Sequence, residues 1–197
     1  MFTGIITDLG RVRAVSKQSL TRLEIETRYP TESIAIGASI ACSGACLSVV
    51  ERGPGWFAVE ASTETLSKTT LGDWRIGTAV NLERPLKLGD ELGGHLVLGH
   101  VDGVGVLIER TPDGGSLRLT FEAPTDLARF IAPKGSVAID GVSMTVNAVS
   151  GRRFGVNVIP ITQRETNLGR LAVGDRVNLE IDMVARYVAR LMAKDAE

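Results

Sequence analysis

The sequence of 197 residues contains itself twice. Ser39-Ile40-Ala41-Cys42-Ser43-Gly44-Ala45-Cys46-Leu47-Ser48-Val49 runs parallel to Ser136-Val137-Ala138-Ile139-Asp140-Gly141-Val142-Ser143-Met144-Thr145-Val146, at an offset of 97 positions. The same offset places Thr65, Thr69, Leu71 and Gly72 on Thr162, Thr166, Leu168 and Gly169, and Val80-Asn81-Leu82-Glu83 on Val177-Asn178-Leu179-Glu180. Around Leu20 a one-residue slip improves the match, as expected at a hairpin loop, and Phe2-Thr3-Gly4 is paired with Val101-Asp102-Gly103. Two domain-sized copies are a duplicated domain rather than a solenoid, which stacks many short units.

Each copy reads as short strands. Arg11 to Val15, Leu117 to Phe121, Ser136 to Val149 and Val177 to Ile181 alternate with period two. Glycine-rich turns separate them at Arg52-Gly53-Pro54-Gly55, Pro112-Asp113-Gly114-Gly115 and Ser150-Gly151-Arg152. Many short strands with regular turns suit small closed barrels, which leave no open edge. The expectation is an all-β chain of two tandem barrels and one longer helix. A short helical turn is expected at Pro124 to Ile131, capped by Thr125 or Asp126. In the last segment Val184, Val188, Leu191 and Met192 share one helical face, which either packs on its own barrel or joins chains. The expected units are residues 1–97, 98–182 and 183–197.

Charge and composition exclude several classes. The net charge is −1 with no long run of one sign, which argues against nucleic-acid or membrane partners. No stretch approaches the roughly 20 apolar residues of a membrane span. The N-terminus lacks the basic and apolar pattern of a signal peptide. Cys42 and Cys46, four apart, would sit too far from each other on one extended strand for a disulfide. A cytoplasmic protein is expected. The glycine-rich stretches at residues 89–95 and 99–105 lack a phosphate-loop lysine and its strand–helix setting, so no nucleotide cofactor is expected. His95 and His100, five apart on a strand, would point to opposite faces, so no metal pair is expected either, and each alone is read first as structural.

One recurring pattern does suggest a ligand. Cys46 and Ser48 correspond to Ser143 and Thr145, and positions i and i+2 of a strand share a face. Each copy therefore presents two small polar groups side by side. Thr65 and Thr162 repeat the theme. Lys134 and Asp182 break the symmetry, because Gly37 and Pro85 stand in the first copy. Either they are ordinary surface charges or the second copy has a chemical task that the first lacks.

Met1-Phe2-Thr3-Gly4-Ile5-Ile6, Val80 to Arg84, Gly93 to Gly103, Ile139 to Val146 and Asn178 to Asp182 together resemble the riboflavin synthases over essentially the whole chain. The resemblance implies two six-stranded Greek-key barrels, a C-terminal helix and a homotrimer, with each active site between barrels of different subunits. It implies conversion of two 6,7-dimethyl-8-ribityllumazine molecules by four-carbon transfer, without cofactor. It places Gly4, Ile5, Ile6, Cys46, Leu47, Ser48, Glu60, Ala61, Ser62, Thr63, Glu64 and Thr65 at the first-barrel substrate. At the second it places Gly99, His100, Val101, Lys134, Ser143, Met144, Thr145, Ile159, Pro160, Ile161, Thr162, Gln163 and Arg164. Catalysis is associated with Phe2, Cys46, His100, Ser143, Thr145 and Asp182. Ser43, Ala45, Ser48 and Ile161 depart from the family's usual residues. The alternative within the same fold is a lumazine- or flavin-binding antenna protein without turnover.

Overall fold

A computed structural model describes residues 1–17 and 19–193; residues 194–197 of the expected last unit lie outside the described residues. The first barrel is built from β1 (Asp8–Lys17), β2 (Thr21–Glu26), β3 (Ser39–Cys42), β4 (Ala45–Gly53), β5 (Trp56–Ala61) and β6 (Ala79–Glu83). A six-residue helix, α1 (Thr63–Lys68), follows β5. The second barrel uses β7 (Gly103–Asp113), β8 (Ser116–Glu122), β9 (Ser136–Ile139), β10 (Val142–Ser150), β11 (Arg153–Val158) and β12 (Arg176–Ile181). Its helices are α2 (Thr125–Ala128) and α3 (Pro160–Glu165), and α4 (Met183–Met192) closes the chain.

Both barrels are closed and antiparallel with one strand order, β1-β2-β5-β4-β3-β6 and its counterpart β7-β8-β11-β10-β9-β12. The return of β5 beside β2, and of β11 beside β8, makes each a Greek key. Period-two patterning sends Leu23, Ile25, Phe57 and Val59 into one core and Leu119, Phe121, Phe154 and Val156 into the other. Bulges recur at matching places, at Val12/Ala14 and Leu107/Glu109, and at Val49/Glu51 and Val146/Ala148. They bend the strands enough to close so small a barrel.

Three local expectations are corrected. Cys42 and Cys46 are not on one strand: they end β3 and begin β4, across the turn Ser43-Gly44, and both are free thiols. That turn and its mate Asp140-Gly141 have positive φ at both residues, the two-residue hairpin geometry that favours X-Gly. At α2 the N-cap is Pro124 with no side-chain hydrogen bond, so neither Thr125 nor Asp126 caps it. His95 and His100 lie in irregular chain rather than on a strand.

The largest correction concerns the start of each repeat. The amide of Ser143 donates to the carbonyl of Gly4 (2.8 Å), and that of Cys46 to Gly99 (2.9 Å). Gly4 and Gly99, with φ of 76° and 81°, are therefore the mates. Phe2 pairs with Val97 across the axis between the copies, not with Val101. The repeats thus exchange their leading segments. Ile6 packs on the second barrel's core and Val101 on the first's. The assignment of Gly4–Ile6 to the first-barrel surface and Gly99–Val101 to the second is reversed in the single chain.

Side chains on the axis lock the two barrels together. Asn81 donates its amide to the Asp140 carbonyl (2.9 Å), and Asn178 donates to the Ser43 carbonyl (2.8 Å). Their side-chain oxygens take the amides of Asn167 (2.8 Å) and Thr70 (2.7 Å). All four polar groups of these buried amides are thereby satisfied, as burial demands. Phe2, Ala41, Val97 and Ala138 form a small apolar cluster beside this network.

Candidate functional site

The polar pairs of β4 and β10 lie on the outer faces of the barrels. Between them Leu47 and Met144 turn into the cores, as does Ala61 on β5, so these three offer the outer surface only backbone. Ser48 and Thr145 are exposed, and Cys46 and Ser143 are half-buried under the exchanged segments. The pairs are open surfaces whose inner member is covered.

The cover is close. A Cβ on Gly99 would lie 2.5 Å from the Cβ of Cys46, and one on Gly4 would lie 2.6 Å from that of Ser143. Only glycine allows these approaches, and both have the left-handed backbone that glycine tolerates. Ile5 and His100 continue the two segments and are exposed. The end of β5 supplies exposed Glu60; Ser62, Thr63, Glu64 and Thr65 then form the start of α1, where Ser62 Oγ accepts from the Thr65 amide (3.2 Å). Ile159, Pro160, Ile161, Thr162, Gln163 and Arg164 build the equivalent start at α3, with Pro160 opening the helix.

The second surface carries groups that the first lacks. His95 Nδ1 is 2.7 Å from Ser143 Oγ, whereas Cys46 makes no such side-chain bond among the described residues. Burial lowers the His95 pKa below its ordinary value, partly countered by the negative charge of Asp182. The ring is then neutral near pH 7, with one nitrogen free to accept a proton. Sequence reasoning passed over His95. The available signal was Gly93-Gly94 before it, since a Cβ on Gly94 would collide with the Thr3 carbonyl and sit 2.9 Å from Ser143 Cβ.

Asp182 caps α4, accepting from the Val184 amide (2.9 Å), and its charge also bears on His95. Lys134 is exposed in the turn before β9, its amide bonded to the Val146 carbonyl (2.8 Å), next to Thr145. Its φ is 66°, where the mate Gly37 has 85°. A lysine there bears a backbone cost that the first copy avoids. Phe2 is fully buried in the cluster between the barrels, against Cys46.

Two carboxylates hold the exchanged segments. Glu83 on β6 accepts from the amides of Thr3 (2.7 Å) and Gly4 (2.9 Å) and from the Thr3 hydroxyl (2.7 Å). Glu180 on β12 accepts from the amides of Leu98 (2.6 Å), Gly99 (2.9 Å) and His100 (3.0 Å). Burial raises the pKa of both against the pull of these bonds, Glu180 to about 7.

On α4 the side chains of Val184, Tyr187, Val188 and Leu191 are exposed, so within one chain the apolar face does not pack on its own barrel. Arg186 from its polar flank holds Asp102 (2.6 Å). No helix among the described residues is long and apolar enough to cross a membrane.

Comparison with known proteins gives consistent results. The family described as "Lumazine binding domain" matches residues 3–85 and again 98–182. The riboflavin synthase of Brucella abortus is 53% identical, covering 97% of this chain and 98% of that protein. The riboflavin synthase of Mycobacterium bovis is 43% identical, with 98% of each covered. Among solved structures, LumP complexed with riboflavin superposes with a TM-score of 0.84 at 28% identity, covering 92% of this chain and 99% of that one.

Proposed function

The chain belongs to the family of riboflavin synthases and lumazine-binding barrel proteins, and from that premise we propose that it binds two 6,7-dimethyl-8-ribityllumazine molecules and converts them to riboflavin. The observation that carries the reading is the hydrogen bond between His95 and Ser143, with Asp182 bearing on the ring. It gives the second surface a histidine bonded to the inner hydroxyl of its polar pair, whereas on the first surface Cys46 has no such side-chain partner among the described residues and His100 is exposed.

In this reading each outer surface holds one lumazine: Cys46, Ser48 and Glu60 to Thr65 on the first barrel, Ser143, Thr145, Lys134 and Ile159 to Arg164 on the second. The exchanged segments complete them, Gly99 to Val101 on the first and Gly4 to Ile6 on the second. The surfaces are open in the single chain, so the two rings meet when the first barrel of one subunit faces the second barrel of another. The exposed apolar stripe of α4 joins the subunits into a homotrimer. Phe2, buried between the barrels, supports Cys46 from below.

The reaction moves four carbons from one lumazine to the other, giving riboflavin and 5-amino-6-ribitylamino-2,4-pyrimidinedione. The two products together contain every atom of the two substrates, so no external oxidant or reductant enters. The 7-methyl protons of the lumazine are acidic enough to need no strong base. His95, with Ser143 and Thr145, takes and returns protons at the second surface. Holding two flat rings face to face is the larger contribution, up to roughly 7–11 kcal/mol in favourable cases.

A second reading, binding without turnover, is favoured by the superposition on LumP, whose solved complexes contain riboflavin, 6,7-dimethyl-8-ribityllumazine or flavin mononucleotide. Supplying the purified protein with the lumazine separates the two. Riboflavin formation supports turnover, and a bound but unchanged lumazine supports the second reading.

A further inference from the structure

Glu83 and Glu180 sit at the ends of matching strands, yet neither holds its own barrel's surface. Glu83 rises from β6 of the first barrel and grips Thr3 and Gly4, which lie on β10 of the second. Glu180 rises from β12 of the second barrel and grips Leu98, Gly99 and His100, which lie on β4 of the first. From the geometry we propose that these two carboxylates are positioning residues, each setting the binding surface of the opposite barrel, Glu180 that of Cys46 and Glu83 that of Ser143. The functional part rests on the reading that these surfaces hold the two lumazines.

The physical reason is the number of acceptors required. Three N–H groups converge on the Glu180 carboxylate, and an ionised carboxylate offers lone pairs to all of them. Nothing else among the described residues takes these three amides. The Gly99 carbonyl that follows is the one that receives the Cys46 amide, so the carboxylate fixes how closely the segment lies on Cys46. Glu83 does the same through Gly4 for Ser143, with the Thr3 hydroxyl as third donor where the mate Leu98 has none.

The two clamps differ in their charged surroundings. Asp102, held by Arg186 from α4, lies near Glu180 and disfavours its ionisation, while β9 on the other side offers only Val137, Ala138 and Ile139. Burial first, with Asp102 adding to it, outweighs the three amide bonds and raises Glu180 to about 7, so the closed clamp holds a proton more tightly than an open, hydrated carboxyl would and is weakened as pH rises through 7.

The test uses the full chain and two variants, Glu180→Gln and Glu83→Gln, each of which turns an NH₂ donor toward groups that are themselves donors. Amide hydrogen exchange is read by NMR at Cys46 and Ser143, with riboflavin titrations in parallel. Glu180→Gln should speed exchange at Cys46 and leave Ser143 unchanged, and Glu83→Gln should do the reverse. Each variant should weaken riboflavin at one class of site by roughly ten- to hundredfold, the scale of a lost charge-assisted hydrogen bond. Equal effects on both amides, or none, would overturn the assignment. If a variant fails to fold, the wild-type protein decides: Cys46 protection, corrected for intrinsic exchange, should fall as pH is raised through 7 more steeply than that of Ser143. Parallel profiles would overturn it as well. Wild-type protein that binds no riboflavin would refute the proposed function and leave the exchange result to judge the clamps.

Discussion

Lys134→Gly should make the protein slightly more stable and a worse binder. Lys134 occupies the left-handed region at φ 66°, which costs an L-residue about 1–2 kcal/mol. The mate Gly37 makes the same turn, with the same 2.8 Å bond, from its amide to the Val49 carbonyl on β4. A Cβ at Gly37 would meet nothing within 4 Å, so glycine is suited there for its backbone freedom alone. Replacing lysine by glycine removes that backbone cost but restores about 0.4–1 kcal/mol of freedom to the unfolded chain. The net expectation is a gain of roughly 0–1.6 kcal/mol in urea unfolding. The exposed lysine side chain, on the turn bonded to Val146, would meanwhile be lost to the ligand. At 1.5–3 kcal/mol for a hydrogen bond to a charged group, lumazine affinity should fall about ten- to hundredfold. Opposite signs in the two assays are the signature of a residue kept for binding at the expense of the fold. A variant less stable than wild type, or one that binds equally well, would refute the reasoning.

Three further outcomes are expected. Asp182→Asn keeps an oxygen to cap α4 but removes the charge near His95; it should leave melting and assembly near wild type and lower turnover about 100-fold, whereas Asp182→Ala should also cost about 1 kcal/mol of stability. An Asn variant with full turnover would reduce Asp182 to a cap. Deleting residues 183–197 should lower the oligomeric state and the activity while both barrels remain folded, and an unchanged sedimentation coefficient would contradict this. Burial raises Glu180 to about 7 and Asp140 to about 6, so their favourable contribution is complete below the ordinary carboxylate range and is lost as pH rises through 6 and 7. Urea midpoints should thus be higher at pH 5.5 than at pH 8. Asp8, held below its ordinary value because bonds from Thr27 and Arg28 outweigh its burial, acts oppositely and only at lower pH. A midpoint that falls steadily on acidification from pH 8 would contradict the assignment.

The barrels were legible because their offset is constant through β3 to β6 and because period-two alternation survives in nearly every strand. The start of each repeat was not, since slips around β1 and β2 change the offset and Phe2 therefore matched the wrong partner. Exchange of the leading segments leaves no trace in hydrophobic pattern, because the two cores are nearly alike and Ile6 or Val101 would suit either. Spacing alone also misled at Cys42 and Cys46, where Ser43-Gly44 signals a hairpin that the count of four residues hides. The short helices α1 and α3 had readable starts in Ser62 and Pro160, but six residues are too few to show helical periodicity. Of the site, the pairing of Cys46 with Ser48 and of Ser143 with Thr145 on one face followed from strand periodicity, but that the face is the outer one did not. His95 did not, because its partnership with Ser143 depends on two glycines and on a chain crossing from the other repeat.

The most direct test of the account is conversion of the lumazine by the purified protein with a chelator present and nothing else added. The account predicts riboflavin and 5-amino-6-ribitylamino-2,4-pyrimidinedione in equal amounts, followed by absorbance and chromatography until the lumazine is consumed. Lumazine bound at both surfaces but recovered unchanged, or riboflavin formed only when a metal or nicotinamide cofactor is supplied, would contradict it.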